Sequence, residues 1–215
     1  MLEVKDLDID ISNKIILKNI NFSVANSHVL QIVGKNGIGK TSFLKSLVNL
    51  LNPVSGAIFW NNKNILTEKS DYYSNICYLA HKNYLNESLT VQENLEYFYK
   101  LFNKDNINNK ANFALLLQEV LNKLEVFHKR NTPAWKLSQG QMRKVALARI
   151  FLSNKKIWIL DEPFVSLDIK SQEIIWDMIK THLNKKGLII FTSHQNNYIN
   201  NIKINKLNLD NFTTV

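Results

Sequence analysis

Eight consecutive residues, Gly34-Lys35-Asn36-Gly37-Ile38-Gly39-Lys40-Thr41, restrict this chain more than any other stretch. They fit the spacing Gly-x-x-x-x-Gly-Lys-Ser/Thr. They stand between a short apolar run, Val29-Leu30-Gln31-Ile32-Val33, and a segment from Thr41 to Leu51 that reads as a helix. A buried parallel strand that turns through glycines into a helix is a phosphate-binding arrangement. Glycines let successive backbone N–H groups turn inward onto phosphate oxygens. The helix start adds unpaired N–H groups and a positive dipole end. Lys40 supplies a point charge for β- and γ-phosphates, and the Thr41 hydroxyl can ligate Mg²⁺. Ser42, next in the helix, is counted with the loop as nucleotide-binding. Glycine is otherwise scarce: the chain has 6 in 215 residues, where about fifteen are usual.

Composition sets the outer limits. Hydrophobic residues make up 45% and charged residues 21%, enough apolar surface for a sizeable core and too much for disorder or low complexity. No apolar run reaches the roughly 20 residues that span a bilayer, and Met1 to Leu7 lacks a secretory apolar core. The lone Cys77 cannot form an internal disulfide, which suits the cytosol. The net charge of +9 is dispersed, with pairs such as Lys155-Lys156 and no block of five or more. A dispersed excess reads as a solvated surface, not as a specific nucleic-acid site.

Organisation along the chain is α/β with an interruption. Val4 to Ile11 and Ile20 to Val24 alternate as strands, and Ala57 to Trp60 and Ile76 to Leu79 are further strand runs. From about residue 85 to 152 the pattern turns helical. Thr90-Val91-Gln92-Glu93 is a capping-box signature opening a helix to about Leu101. Asn103 to Asn109 is a polar break, and Ala111 to Val126 is apolar at helical spacing. The α/β pattern then resumes with Ile157 to Leu160, a helix from Ser171 to Leu183 and a strand from Leu188 to Phe191. Residues 203–215 form a short tail with a last strand expected near Leu207 to Leu209.

The run Ile157-Trp158-Ile159-Leu160 ends in two acids, Asp161 and Glu162. Ligands bind at the C-terminal ends of parallel strands. Asp161 is placed to hold Mg²⁺, and Glu162 to take the proton of an attacking water. Alone, such a pair is more often a solvated strand end; the phosphate loop upstream reverses that weighting. Ser138-Gln139-Gly140-Gln141 is a second capping-box pattern, and a capped helix terminus also binds anions.

The order of phosphate loop, helical insert, Leu137-Ser138-Gln139-Gly140-Gln141, Leu160-Asp161-Glu162-Pro163, Ser166-Leu167-Asp168 and Thr192-Ser193-His194 resembles an ABC-type ATPase subunit over essentially the whole chain. Finer strings, Tyr78-Leu79-Ala80-His81, Trp158 to Phe164 and Thr192-Ser193-His194-Gln195, resemble the haem-exporter branch that serves cytochrome c maturation. The resemblance implies one domain over residues 1–215: a P-loop NTPase (RecA-like) core, an N-terminal antiparallel β subdomain and an inserted α-helical subdomain at about 85–150. It implies ATP and Mg²⁺ as ligands and a homodimer sharing two sandwiched ATPs. Ser138, Gly140 and Gln141 of one copy would face the γ-phosphate held by the other, and Asp168 would lie at the seam. His194 would bond the γ-phosphate or the attacking water, Lys40 and Glu162 would complete the catalytic set, and Thr41, Asp161 and His81 would serve the metal. The implied setting is the cytoplasmic face of the inner membrane, beside an integral transporter subunit.

Three positions depart from the family pattern. Gln139 replaces a glycine, which the backbone tolerates at negative φ. His81 stands where glutamine is usual, and Lys82 follows it. Ile11 stands near where many members stack adenine on an aromatic ring, and residues 1–21 contain no Tyr, Phe or Trp. Trp60, Trp135 and Trp176 read as core or docking aromatics, and His28, His128 and His182 lack metal-ligand spacing. No Cys-x-x-Cys-His is present, so covalent haem is not expected. A transporter of other cargo, a nucleic-acid-associated ABC ATPase and a regulatory module without turnover are the competing readings.

Overall fold

The computed structural model describes residues 1–11, 14–102, 110–193 and 202–213. Among these residues there are two sheets. The first is antiparallel, in the order β2-β1-β4-β5, from β1 (Leu2–Ile11), β2 (Lys14–Val24), β4 (Ser55–Trp60) and β5 (Lys63–Asn64). The second is parallel, in the order β6-β7-β8-β3-β9, from β3 (Val29–Val33), β6 (Ile76–Leu79), β7 (Ile157–Leu160), β8 (Leu188–Thr192) and β9 (Ile204–Asn208).

The two sheets differ as their sequences require. Every residue of β7 and β8 is buried, because helices cover both faces of a parallel sheet and leave no wet side for polar alternation. Strand β1 alternates instead, burying Leu2, Val4, Leu7 and Ile9. Its period slips at Lys5-Asp6, where Asp6 takes a φ of 47° and the register with β2 shifts. The Asn21 side chain accepts from the Asp6 N–H at 3.0 Å and fastens this bulge.

Among the described residues six α-helices accompany the sheets: α1 (Lys40–Leu47), α2 (Lys69–Asn75), α3 (Val91–Phe102), α4 (Lys110–Lys123), α5 (Gln139–Leu152) and α6 (Ile169–Asn184). Both capping boxes form. The Glu93 N–H donates to Thr90 Oγ1 at 3.2 Å and the Thr90 N–H to Glu93 Oε2 at 2.8 Å. Ser138 and Gln141 exchange the same pair at the start of α5. Helix α1 stops four residues before the expected Leu51. Asn49 turns left-handed at φ 55°, its N–H donates to Ser46 O, and the Leu50 N–H donates to Lys45 O at 2.8 Å. These two bonds close the helix C-terminus. Helix α2 is absent from the sequence reading because only Tyr72 of its seven residues is buried. That hydroxyl donates to Leu47 O at 2.6 Å and ties α2 to α1.

Residues of α3, α4 and α5 share one apolar cluster with Trp158, Phe164 and Trp176 of the α/β part. At its edge the His182 ring stacks on Trp158, centroids 3.6 Å apart and 9° from parallel. Burial pushes the His182 imidazole down to about 4 from 6.5. The unfolded chain therefore binds a proton there before the native one does. Stability is expected to be full above about pH 6.5 and to drain as pH falls toward 4, by about 1–3 kcal/mol. Thermal melts from pH 7.5 to 4.5 check this. His182→Phe, which keeps the stack and removes the titration, should flatten that part of the pH profile.

Candidate functional site

The site grows from the C-terminal ends of β3, β7 and β8. After β3 the chain turns through Gly34, Gly37 and Gly39 at φ 149°, 79° and 105°, and the last two lie where a side chain would be strained. Gly39 is the N-cap of α1, which no side chain caps, so the loop ends on open N–H groups suited to an anion. Lys40 folds back over the loop, its Nζ donating to Gly34 O at 2.9 Å and Lys35 O at 3.0 Å. Behind the loop, the Lys35 N–H donates to Asp210 Oδ1 at 3.2 Å, and Leu209 is fully buried beside Gly34.

The strand-end acids meet this loop directly. Thr41 Oγ1 donates to Asp161 Oδ2 at 2.9 Å, and Thr192 Oγ1, at the end of β8, donates to Asp161 Oδ1 at 2.7 Å. Thr192 Oγ1 also accepts from the Glu162 N–H at 2.8 Å. Asp161 is 1% exposed and Glu162 8%. Glu162 takes a φ of 49°, an unusual conformation for a non-glycine residue.

These residues surround a cavity of about 400 Å³ lined by Ile11, Asn36, Gly37, the stretch from Gly39 to Ser42, His81, Asp161 and Glu162. Gly34, Lys35 and Ile38 complete the loop without lining it; Ile38 packs on the core beside Gly34. Among the described residues no three His, Cys, Asp or Glu side chains could hold a metal alone. Thr41 and Asp161 form a two-oxygen pair of the kind that binds Mg²⁺ together with substrate phosphates and water. A phosphate cradle, a lysine and that oxygen pair suit a nucleoside triphosphate with Mg²⁺.

Ser138, Gly140, Gln141 and Asp168 do not line this cavity. They gather elsewhere. Gly140 packs so closely that a β-carbon there would lie 2.7 Å from Ser166 O. Asp168 caps α6, accepting from the Ser171 N–H at 2.7 Å, and the bonds from Ser171 hold its carboxyl below the usual range. Gln139 lies inside α5 and is not among the positive-φ residues, as its replacement of glycine requires. His194 lies outside the described residues.

One site component escaped the sequence reading. Arg143, on α5, is 3% exposed and reaches the loops after both β6 and β7. An arginine in mid-helix carries no local signal of such a place.

A family model described as ABC transporter matches residues 17–165. The cytochrome c biogenesis ATP-binding export protein CcmA of Histophilus somni is 34% identical over 211 residues, covering 98% of this chain and 94% of that protein. The CcmA protein of Wolbachia pipientis wMel is 37% identical over 194 residues, covering 90% and 89%. Among solved structures, a putative ABC transporter ATP-binding protein from Pyrococcus furiosus superposes with a TM-score of 0.81 at 28% identity, covering 99% of both chains.

Proposed function

The chain belongs to the ABC transporter family of ATP-binding proteins, and on that premise we propose that it is the ATP-hydrolysing subunit of an exporter of the CcmA type, powering a separate integral membrane subunit in haem export for cytochrome c biogenesis. The observation that carries this reading is the unbroken hydrogen-bonded path Thr41–Asp161–Thr192–Glu162. It ties the phosphate loop to the backbone N–H of Glu162, the residue whose carboxylate is placed to act on water.

In this reading the loop from Gly34 to Ser42 holds the nucleotide phosphates through those of its N–H groups that face the cavity, at Gly37 and from Gly39 to Ser42, with the Lys40 ammonium against the β- and γ-phosphates. Thr41 and Asp161 would hold Mg²⁺, with His81 nearby, and the ion would supply neutralisation of phosphate charge. Glu162 accepts the proton of the attacking water as it adds to the γ-phosphorus, and ADP leaves. His194 bonds the γ-phosphate or that water. Ser138, Gly140 and Gln141 of a second copy close the far side, with Asp168 at the seam. The separation of these residues from the phosphate cavity within one chain supports a site shared by two copies. Residues 85–150 act as a helical subdomain of one 1–215 domain. No described helix is long and apolar enough to cross a membrane, which fits a peripheral subunit on the cytoplasmic face of the inner membrane.

Phosphate release from the purified chain, alone and with membrane proteins recovered by pull-down from solubilised membranes, tests the proposal. ATP-dependent release together with an export-complex membrane protein is expected. Capture of a transporter for other cargo would overturn the haem assignment, and no turnover with the captured partner would overturn the ATPase reading. A nucleic-acid role predicts binding that weakens steeply with salt.

Ile11 is 45% exposed at the cavity edge and offers adenine no aromatic face. Ile11→Tyr is expected to tighten ATP binding roughly tenfold, from about 1–3 kcal/mol of stacking. Titration calorimetry with ATP and GTP on both proteins measures it, and an unchanged Kd would show that adenine lies elsewhere.

A further inference from the structure

The guanidinium of Arg143 is fully used, and only by carbonyl oxygens. Nη2 donates to Asp161 O at 2.6 Å and Glu162 O at 2.7 Å, and Nε to Pro163 O at 3.4 Å. Nη1 donates to Ala80 O at 3.0 Å, His81 O at 3.3 Å and Asn83 Oδ1 at 3.1 Å. One buried fork therefore binds the loop carrying Asp161 and Glu162 to the loop carrying His81. Its own backbone is the fifth residue of α5, about 7 Å along the axis from the helix start. That start is the Ser138-Gln139-Gly140-Gln141 segment.

The Glu162 backbone explains why such a clamp is needed. A φ of 49° costs a non-glycine residue of the order of 1 kcal/mol or more, and it persists only where the surroundings enforce it. Three bonds hold it: Thr192 Oγ1 accepts the Glu162 N–H, and both Arg143 Nη2, at 2.7 Å, and the Val165 N–H, at 3.2 Å, donate to the Glu162 carbonyl. Burial lowers the guanidinium to about 10, and the nearby Asp161 and Glu162 charges oppose that shift, so it remains a cation at neutral pH.

We propose that Arg143 is a positioning residue that couples helix α5 to the two loops of its own chain's nucleotide site, so that a shift of the Ser138–Gln141 helix start resets the backbone carrying Glu162 and His81. This rests on the ATPase reading for its consequence in turnover, but not for the coupling itself. Arg143 touches backbone carbonyls and the Asn83 side chain, and it does not line the phosphate cavity. Its loss should therefore spare nucleotide affinity and reduce the chemical step.

Arg143→Lys keeps the charge but replaces a planar fork of five donors with three donors on one atom, which cannot span both loops. Its kcat is expected to fall roughly 10- to 100-fold, the scale of a small misplacement of a reacting group, with KM for ATP changed less than about threefold. Amide exchange without nucleotide should rise at residues 80–83, 161–162 and 164–165 and stay unchanged in β3. Arg149→Lys is the control: Arg149 is buried on the same helix, with its guanidinium 4.3 Å from the centre of the Phe98 ring. Its replacement should lower Tm and leave kcat and both loops unaffected. Wild-type kcat in Arg143→Lys, or exchange raised evenly along the chain as in a general loosening, overturns the proposal. A wild-type chain without turnover would sink the ATPase reading alone, because the exchange comparison needs no ATP.

Discussion

Glu162→Gln is expected to lower ATP turnover by about 10²–10⁴-fold, the usual contribution of a positioned general base, while ATP binding stays within a few-fold of wild type. Glutamine matches glutamate in shape and leaves the backbone bonds from Glu162 to Thr192 and Arg143 intact. It cannot take a proton at neutral pH. The contrast with Asp161 sharpens the expectation. Asp161 has both carboxylate oxygens occupied by hydroxyl donors and sits against the phosphate loop, the place of a group that orients or holds an ion. Glu162 has its backbone fixed and its carboxylate at the cavity wall. With hydrolysis blocked and binding preserved, ATP should trap a dimer that elutes early in size-exclusion chromatography. Phosphate release by the variant at the wild-type rate would remove Glu162 from the role of base.

The parts of this site that rest on short-range chemistry are legible in the sequence. The phosphate loop's glycine spacing and both capping boxes depend on residues a few positions apart, so spacing alone exposes them; the strand-end acids, whose partners Thr41 and Thr192 are distant in sequence, are legible because an apolar strand run ends in them downstream of that loop. The buried strands of the parallel sheet are legible because helices on both faces demand unbroken apolar runs, as in Ile157 to Leu160. Long-range contacts leave no such trace. The Lys35 N–H finds its acceptor 175 residues away in Asp210, so the C-terminal segment, which reads as a plain tail, in fact braces the phosphate loop. Arg143 reads as one more cation on a helix until folding collects carbonyls from two loops about 20 and 60 residues distant in sequence around it. Helix α1 ends early because Asn49 accepts a left-handed turn that apolar periodicity cannot register.

Two inactive variants, Lys40→Ala and Ser138→Arg, are expected to restore activity to each other when mixed. The reason is geometric. Lys40 lines the phosphate cavity, whereas Ser138 lies in the separate group with Gly140 and Asp168. If each ATP is enclosed by the cavity of one copy and the α5 start of another, a site needs an intact Lys40 from one chain and an intact Ser138 from its neighbour. Each variant alone spoils every site of its homodimer, and loss of a phosphate-binding charge commonly costs about 10²–10³-fold in turnover. In a mixed dimer one site carries both lesions and the other carries neither. Equal mixing places about half of the chains in mixed dimers with one complete site of two, so recovery should reach at most about one quarter of the wild-type rate. Co-expression with two different tags and sequential purification isolates the mixed species, for which about half of wild-type turnover is the ceiling on the same count. Ser138→Arg also removes the α5 cap, a loss of about 1 kcal/mol, so melts of both variants must show folded protein. Folded, doubly tagged dimers as inactive as their parents would mean that each chain completes its own site, and the shared-site assembly would have to be abandoned.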